Sequence, residues 1–468
     1  MFINRQAELS QLERLYRSER AELFVLYGRR RVGKTELLHA FCVDKPHLFF
    51  VATLASDAEQ LATFSQAVWR YTHAEASEGF TFPSWEAALR ALADLPGRPV
   101  VVLDEFTYLM SGNRSLPSIL QKVWDDALRT THLFLVLCGS YIGMMEREVL
   151  SYQAPLYGRR TASFMLAPLT CAASARFFPH YDAVQQLETW GVLGGMPYYL
   201  SNFSDTRPMW ENVREQILDP LGPLYNEPQL LLMEELREPR NYFSLLRAIA
   251  HGHARLSEIT QAAGVGNAAS TARYLDILQQ MHLVRRRVPA TERQPEKSKR
   301  GLYQITDPFL RFWFRYVHPN RSALDLGLAD AVLAQRIRPT WEQFMGAVWE
   351  EAAREYVAGQ AALGQLPFLP ERIGSWWSPE GEIDVLAVSA AESAALLGEC
   401  KWSTQAVGTN ILADLREKAA MLQAREGWQQ VYYWLFARSG YTPALRDQAH
   451  AFGVRLVEPA ELLRGEAS

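Results

Sequence analysis

The run Gly28-Arg29-Arg30-Arg31-Val32-Gly33-Lys34-Thr35 satisfies the pattern G-x-x-x-x-G-K-[ST] at every position. The apolar stretch Leu23-Phe24-Val25-Leu26-Tyr27 precedes it, and the helix-prone Glu36-Leu37-Leu38-His39-Ala40-Phe41 follows. Strand, glycine loop and helix in that order turn backbone N–H groups and a helix N-terminus toward a chain of phosphates. The spacing predicts a nucleotide-binding phosphate loop. Lys34 reaches the β- and γ-phosphates, and Thr35 sets its hydroxyl on a magnesium ion.

At 468 residues the chain exceeds what one hydrophobic core organises, so several domains are expected. With 48% hydrophobic and 21% charged residues it has the composition of a soluble globular protein. A net charge of −4 gives no global attraction to nucleic acid or anionic membrane, so any such contact must rest on a local patch. Cys42, Cys138, Cys171 and Cys400 form no C-x-x-C pair and read as buried thiols of a reducing compartment. The start, Met1-Phe2-Ile3-Asn4-Arg5, meets charge by its fifth residue with no signal-peptide apolar region, and no apolar run approaches membrane-spanning length. The expectation is a cytoplasmic protein without membrane association.

Val100-Val101-Val102-Leu103-Asp104-Glu105 reads as a buried parallel strand ending in two acids, where α/β sheets bind ligands. Asp104 is expected to hold the magnesium, and Glu105 to orient and deprotonate the water that attacks the γ-phosphate. Leu133-Phe134-Leu135-Val136-Leu137 forms another buried strand, and Ser140 just beyond it either senses the γ-phosphate or closes a turn. Arg159 and Arg160 sit in a turn and are either a solvated pair or an arginine finger. A finger can come from the same chain or from a neighbouring copy, and the second case implies a homo-oligomer. Gly194-Gly195-Met196-Pro197 marks a turn opening a helix.

These motifs occur in a fixed order: Phe2-x-x-Arg5-x-x-Glu8-Leu9, the phosphate loop, Asp104-Glu105, Leu137-Cys138-Gly139-Ser140 and Gly194-Gly195-x-Pro197. In this they resemble the archaeal-type ATPases of the STAND and AAA+-like branch of P-loop NTPases, over roughly residues 1 to 235. The resemblance implies ATP as ligand and an ASCE-type parallel sheet with one strand between the phosphate-loop strand and the Asp104 strand. It also implies that the segment from Phe2 to Arg5 packs near the adenine.

From Asn241 the pattern changes to short helices. Tyr242–Ala250, Leu256–Gly264 and a third helix capped by Asn267 precede two strands, Leu283–Val288 and Gly301–Ile305. Three helices and a hairpin are the layout of a winged helix-turn-helix over residues 236–320. Arg285, Arg286, Arg287, Arg293, Lys297, Lys299 and Arg300 crowd the hairpin against Glu292 and Glu296 alone, a local patch for DNA phosphates. Such modules inside ATPases also serve as packing or protein-contact units, and the recognition-helix candidate lacks a basic face.

In Glu382-Ile383-Asp384-Val385-Leu386-Ala387-Val388 the two acids share one strand face. In Ala394–Trp402, Glu399 and Lys401 do the same. Pairing of the strands brings Asp384, Glu399 and Lys401 together. Asp384 and Glu399 can hold magnesium, while the ammonium positions water for attack on a phosphodiester. Upstream, Glu350 in a helix adds a carboxylate. This D…E-x-K pattern, with Arg372–Trp377 just before the first strand, resembles the PD-(D/E)XK nuclease superfamily. It implies a small α/β restriction-endonuclease-like domain over residues 335–468. Nuclease folds of this group are also retained for binding alone, so two readings stand. One is a magnesium-dependent ATPase that acts on DNA and cuts it, and the other a nucleotide-controlled switch that recruits partners without cleavage.

Overall fold

The computed structural model describes residues 3–73, 79–236 and 238–464. Phe2 lies outside the described residues. The chain divides into two compact units, one of residues 1–168 with 196–198, the other of residues 169–195 with 199–468. The helices after Pro168, grouped with the ATPase part on sequence, therefore fall in the second unit.

The first unit is built on five strands: β1 (Glu22–Tyr27), β2 (His47–Val51), β3 (Val100–Asp104), β4 (Phe134–Gly139) and β5 (Ala162–Met165). All neighbours are parallel, in the order β2-β3-β4-β1-β5. One strand, β4, separates the phosphate-loop strand β1 from β3, as the resemblance implied. β3 and β4 are buried along their whole length, which is why they read as unbroken apolar runs rather than alternating ones. Helices cover both faces and leave the carboxyl ends of the strands for loops. The helix α1 (Lys34–Cys42) starts at the carboxyl end of β1.

In the second unit the three predicted helices appear as α2 (Pro239–Ala250), α3 (Leu256–Ala263) and α4 (Ala268–Gln280). Asn267 caps α4 by accepting from Ser270 N at 3.0 Å, and Gly264 ends α3 in the left-handed region. The hairpin follows as β6 (Val284–Arg287) paired antiparallel with β7 (Leu302–Ile305).

Beyond it the long helix α5 (Trp341–Ala362) buries Trp341, Phe344, Met345, Val348, Trp349 and Ala352, an i, i+3, i+4 stripe. A mixed sheet comes next: β8 (Arg372–Ser378), β9 (Gly381–Ser389), β10 (Ala394–Lys401), β11 (Gln430–Ala437) and β12 (Arg455–Val457), in the order β12-β11-β10-β9-β8. β8, β9 and β10 pair antiparallel, while β10, β11 and β12 pair parallel through the crossover helices α6 (Thr409–Glu426) and α7 (Pro443–Phe452). Trp376, Leu386, Leu397, Leu415 and Leu435 lie in one core on this sheet. Arg372–Trp377 is thus a strand of the sheet itself, not a segment preceding the first one. Its pairing to β9 carries an irregularity between Gly374 and Trp376, which breaks the alternation that would mark it in sequence.

Candidate functional sites

The loop between β1 and α1 needs its glycines. Gly28 has φ +152°, and a Cβ there would lie 2.6 Å from Leu166 O; Gly33 has φ +92° and caps α1. Arg31 holds φ +68° without being glycine, and Glu105, just past β3, holds φ +52°. Such conformations cost energy and concentrate where a site dictates the backbone. Arg29 and Val32 are buried.

Lys34 is 5% exposed, and its Nζ donates to Gly28 O at 2.9 Å and Arg29 O at 3.0 Å. Burial pulls its pKa below the usual lysine value, against the fields of Cys138, Glu105 and Asp104. Thr35 Oγ1 donates to Asp104 Oδ2 at 2.8 Å. Asp104 Oδ1 accepts from Glu105 N at 2.9 Å, and Ser140 Oγ donates to Glu105 Oε1 at 2.7 Å. Glu105 Oε2 is buried with no hydrogen-bond partner. Arg30, Arg31, Lys34, Thr35, Glu105 and Ser140 line one open cleft of about 540 Å³. The loop, the β3 acids and the β4 serine thus meet at the carboxyl ends of adjacent strands.

Arg5 is buried beside this loop, where it donates to Val32 O at 3.1 Å and Ala167 O at 2.8 Å and pairs with Glu8 at 2.9 Å. It braces the phosphate loop. Arg159 pairs with Asp125 at 2.9 Å, Arg160 donates to Leu150 O at 2.8 Å, and neither lines the cleft of its own chain. Tyr198 was not among the expected residues; its ring lies 4.4 Å from the Arg31 guanidinium carbon.

In the second unit, Glu350, Glu382 and Asp384 bring carboxylate oxygens within 4.8 Å of one another. Asp384 Oδ2 accepts from Cys400 N at 2.8 Å. Burial, then Glu350 and Glu399, push its pKa up to about 7, with the Cys400 amide and Lys401 pulling the other way. Burial also raises Glu350, opposed by Arg354 and Arg287. Glu399 stands outside the three-carboxylate cluster, bonded to Lys401 at 2.8 Å and Lys418 at 3.2 Å. Burial works against the charge on Lys401, but the bond to Glu399 outweighs it and raises the lysine. Glu382 was not expected as a ligand. Its signal was the two-residue alternation that puts it on the face of Asp384.

The basic hairpin is engaged within its own unit. Arg285 pairs with Glu351 at 2.7 Å, and Arg311 meets the other carboxylate oxygen at 2.8 Å. Burial opposes the Glu351 charge, yet Arg311 and Arg285 hold its pKa down to about 2. Arg287 donates to Ser375 Oγ, with its guanidinium carbon 5.7 Å from the Trp377 ring centroid. Arg286 donates to Pro295 O and Ser298 O, and Arg300 pairs with Glu292 at 3.3 Å. Arg293, Lys297 and Lys299 remain exposed. The expected patch is therefore reduced to these three: α5 and β8 supply partners for Arg285 and Arg287, and the hairpin loop itself engages Arg286 and Arg300.

All four cysteines are buried and free. Among the described residues no helix is long and apolar enough to cross a membrane.

The parallel sheet and its phosphate-loop cleft define a P-loop ATPase. Residues 2–203 match the family described as an ATPase domain predominantly from Archaea, and residues 313–415 one described as archaeal and bacterial proteins of unknown function. Over 402 residues the chain is 33% identical to the uncharacterized protein MJECL04 of Methanocaldococcus jannaschii, covering 86% of this chain and 88% of that one. The chain belongs to this archaeal-type ATPase family, and it binds and hydrolyses ATP. Among solved structures, the Walker-type ATPase paby2304 of Pyrococcus abyssi has a TM-score of 0.48 at 22% identity, over 67% of this chain and 96% of its own. The Aeropyrum pernix ORC2 protein, in ADPNP–ADP complexes, has 0.46 at 14%, over 71% and 95%.

Proposed function

We propose that this protein is a magnesium-dependent ATPase of the STAND and AAA+-like kind, acting on or near DNA in the cytoplasm, whose C-terminal domain is a PD-(D/E)XK nuclease-like module that cuts phosphodiesters. In the ATPase site, Thr35 and Asp104 form the oxygen-only donor pair that magnesium takes, and the buried, unpartnered Glu105 Oε2 suits a water-orienting base. The ion would supply charge compensation for the phosphates. Lys34 cradles the β- and γ-phosphates, Glu105 accepts the proton of the attacking water, and Ser140 fixes the Glu105 carboxylate. Arg159 and Arg160, engaged by Asp125 and Leu150 O and absent from the lining of their own cleft, would serve as an arginine finger toward a neighbouring copy in a homo-oligomer.

The observation that carries the nuclease reading is the convergence of Glu350, Glu382 and Asp384 next to Lys401. Three carboxylates suit a hard divalent ion, which would lend Lewis acidity to a phosphodiester and its water. Lys401, half-buried and anchored by Glu399, is placed to orient that water. The order of α5, β8–β10, α6 and β11 also supports the nuclease-like fold, and α2–α4 with β6–β7 support the winged helix. Plasmid DNA incubated with the protein, Mg2+ and ATP should be nicked, and nicking should vanish in Asp384→Ala and Lys401→Ala. Intact plasmid under every divalent ion would refute cleavage.

The switch reading has its own support. Arg285, Arg286, Arg287 and Arg300 are already engaged, which weakens the hairpin as a DNA contact. Nucleotide-dependent oligomer size with DNA untouched would favour it.

A further inference from the structure

A second cavity, of about 480 Å³, lies within the second unit between the helix Glu227–Glu235, α2 and the turn from His318 to Arg321. That volume is in the range of small-molecule sites. α2 presents Arg240, Phe243, Ser244 and Arg247 to it, an i, i+3, i+4, i+7 stripe. No acidic residue is among the described residues that line it. Arg240 and Arg247 are exposed at its rim.

Arg321 is fixed by neutral acceptors, Gln229 Oε1 at 2.5 Å and Asn226 Oδ1 at 2.6 Å, with the Tyr225 ring beneath it at 5.0 Å. These contacts orient the guanidinium without cancelling its charge. His318 has a buried Nδ1 with no hydrogen-bond partner. Burial, then Arg247 and Arg321, hold its pKa below the usual histidine value, so the imidazole is kept neutral at pH 7. Phe243 and Met233 give the cavity an apolar wall.

The cavity thus offers three guanidinium groups, those of Arg240, Arg247 and Arg321, with no carboxylate among the described residues that line it, an arrangement that suits a multiply charged anion. Arginine forks match phosphate oxygens in geometry as well as charge. We propose that this cavity is a second ligand site, separate from the phosphate loop, which takes a small phosphorylated molecule. Arg240, Arg247 and Arg321 would grip its phosphate groups, with Phe243 and Met233 against its organic body. The ATPase would thereby read the level of a phosphorylated metabolite at a place remote in sequence from its catalytic loop.

The test uses the full chain carrying Lys34→Ala, so that the phosphate loop is weakened, without divalent ions and with inorganic pyrophosphate as the calorimetric probe. Saturable uptake of one pyrophosphate per chain is expected. Arg240→Gln and Arg247→Gln, both exposed and so without consequence for folding, should each weaken it about tenfold, the worth of one charge-assisted hydrogen bond. Comparing pyrophosphate with nucleoside diphosphates and sugar phosphates then reads which organic body the apolar wall prefers. Absence of uptake, or uptake indifferent to both arginines, overturns the proposal. So does duplex DNA binding that is lost in the two variants while pyrophosphate is ignored, which would assign the arginines to a nucleic-acid backbone. ATP binding by the unsubstituted chain is measured separately and does not depend on the result.

Discussion

Ser140 Oγ donates to Glu105 Oε1 at 2.7 Å, so the polar residue just past β4 holds the carboxylate just past β3. Because Glu105 sits at φ +52°, outside the comfortable region for its type, the hydroxyl is the side-chain contact that fixes where the strained residue aims its acid.

The bond predicts a graded pair of effects. Under the proposed mechanism, Glu105→Gln removes the base and should lower ATP turnover at least about 100-fold while leaving ATP affinity within a few-fold. Ser140→Ala leaves the base but frees its rotamer, so turnover should fall about tenfold with affinity again preserved. Steady-state phosphate release and equilibrium ATP binding read the two quantities. Loss of affinity in Ser140→Ala would mean that the hydroxyl supports the phosphate loop rather than the base.

Lys34 makes the opposite prediction. Its ammonium is buried among loop carbonyls and faces the acids of β3, and the proposed mechanism sets its charge against phosphate oxygens. Lys34→Ala should weaken ATP binding about 10- to 100-fold, the worth of a charged hydrogen bond in a dry site. Fluorescent-nucleotide titration measures it. Unchanged affinity would remove Lys34 from the site.

How much of this could be read from residue order depends on how local the cause is. The phosphate loop, Asp104-Glu105 and Ser140 were legible because strand burial and loop glycines leave marks within a few residues. The separation of β1 from β3 by β4 followed from family resemblance, not from local pattern. β8 escaped as a strand because Gly374 and the irregularity at Trp376 disrupt its alternation, and its pairing with β9 is what makes it one. Arg285 and Arg287 read as part of a phosphate patch because their partners, Glu351 and Ser375, lie 66 and 88 residues downstream on other elements. Glu382 shared a face with Asp384 in the sequence, but only the approach of α5 makes it part of a cluster.

The carboxylate cluster gives the protein a pH signature. Asp384 is raised to about 7 from an unfolded value near 4, so between those values the folded chain holds a proton that the unfolded chain has released. Stability contributed by that proton is present at pH 4 and lost as the pH climbs through 7. Glu350 is raised as well and adds to the same slope. In chelator, melting temperature should therefore fall from pH 5.5 to 8, and Mg2+ or Mn2+ should flatten the fall by neutralising the carboxylates. Asp384→Asn should flatten it without any metal. A slope that survives both treatments would place its source elsewhere.

Glu351 behaves in the reverse sense and tests what holds the hairpin. Its pKa of about 2 lies below the unfolded value, so its contribution is complete above pH 4.5 and fades on acidification toward 2, a window separate from that of Asp384. The carboxylate lies between Arg285 of β6 and Arg311, and Arg311 is 9% exposed with Nε and Nη1 already unpartnered. Glu351→Gln would leave two cations facing each other across a neutral amide. Breaking a buried pair from one side costs about 3 kcal/mol or more. Urea unfolding at pH 7 should show a loss of that size, and the gap between variant and parent should narrow as the pH is lowered below 4. The same substitution should release Arg285, so the variant should bind duplex DNA more tightly and with a steeper salt dependence than the parent chain. Lower stability with unchanged DNA affinity would keep Glu351 as a structural tether and deny the hairpin any latent role at a phosphate backbone.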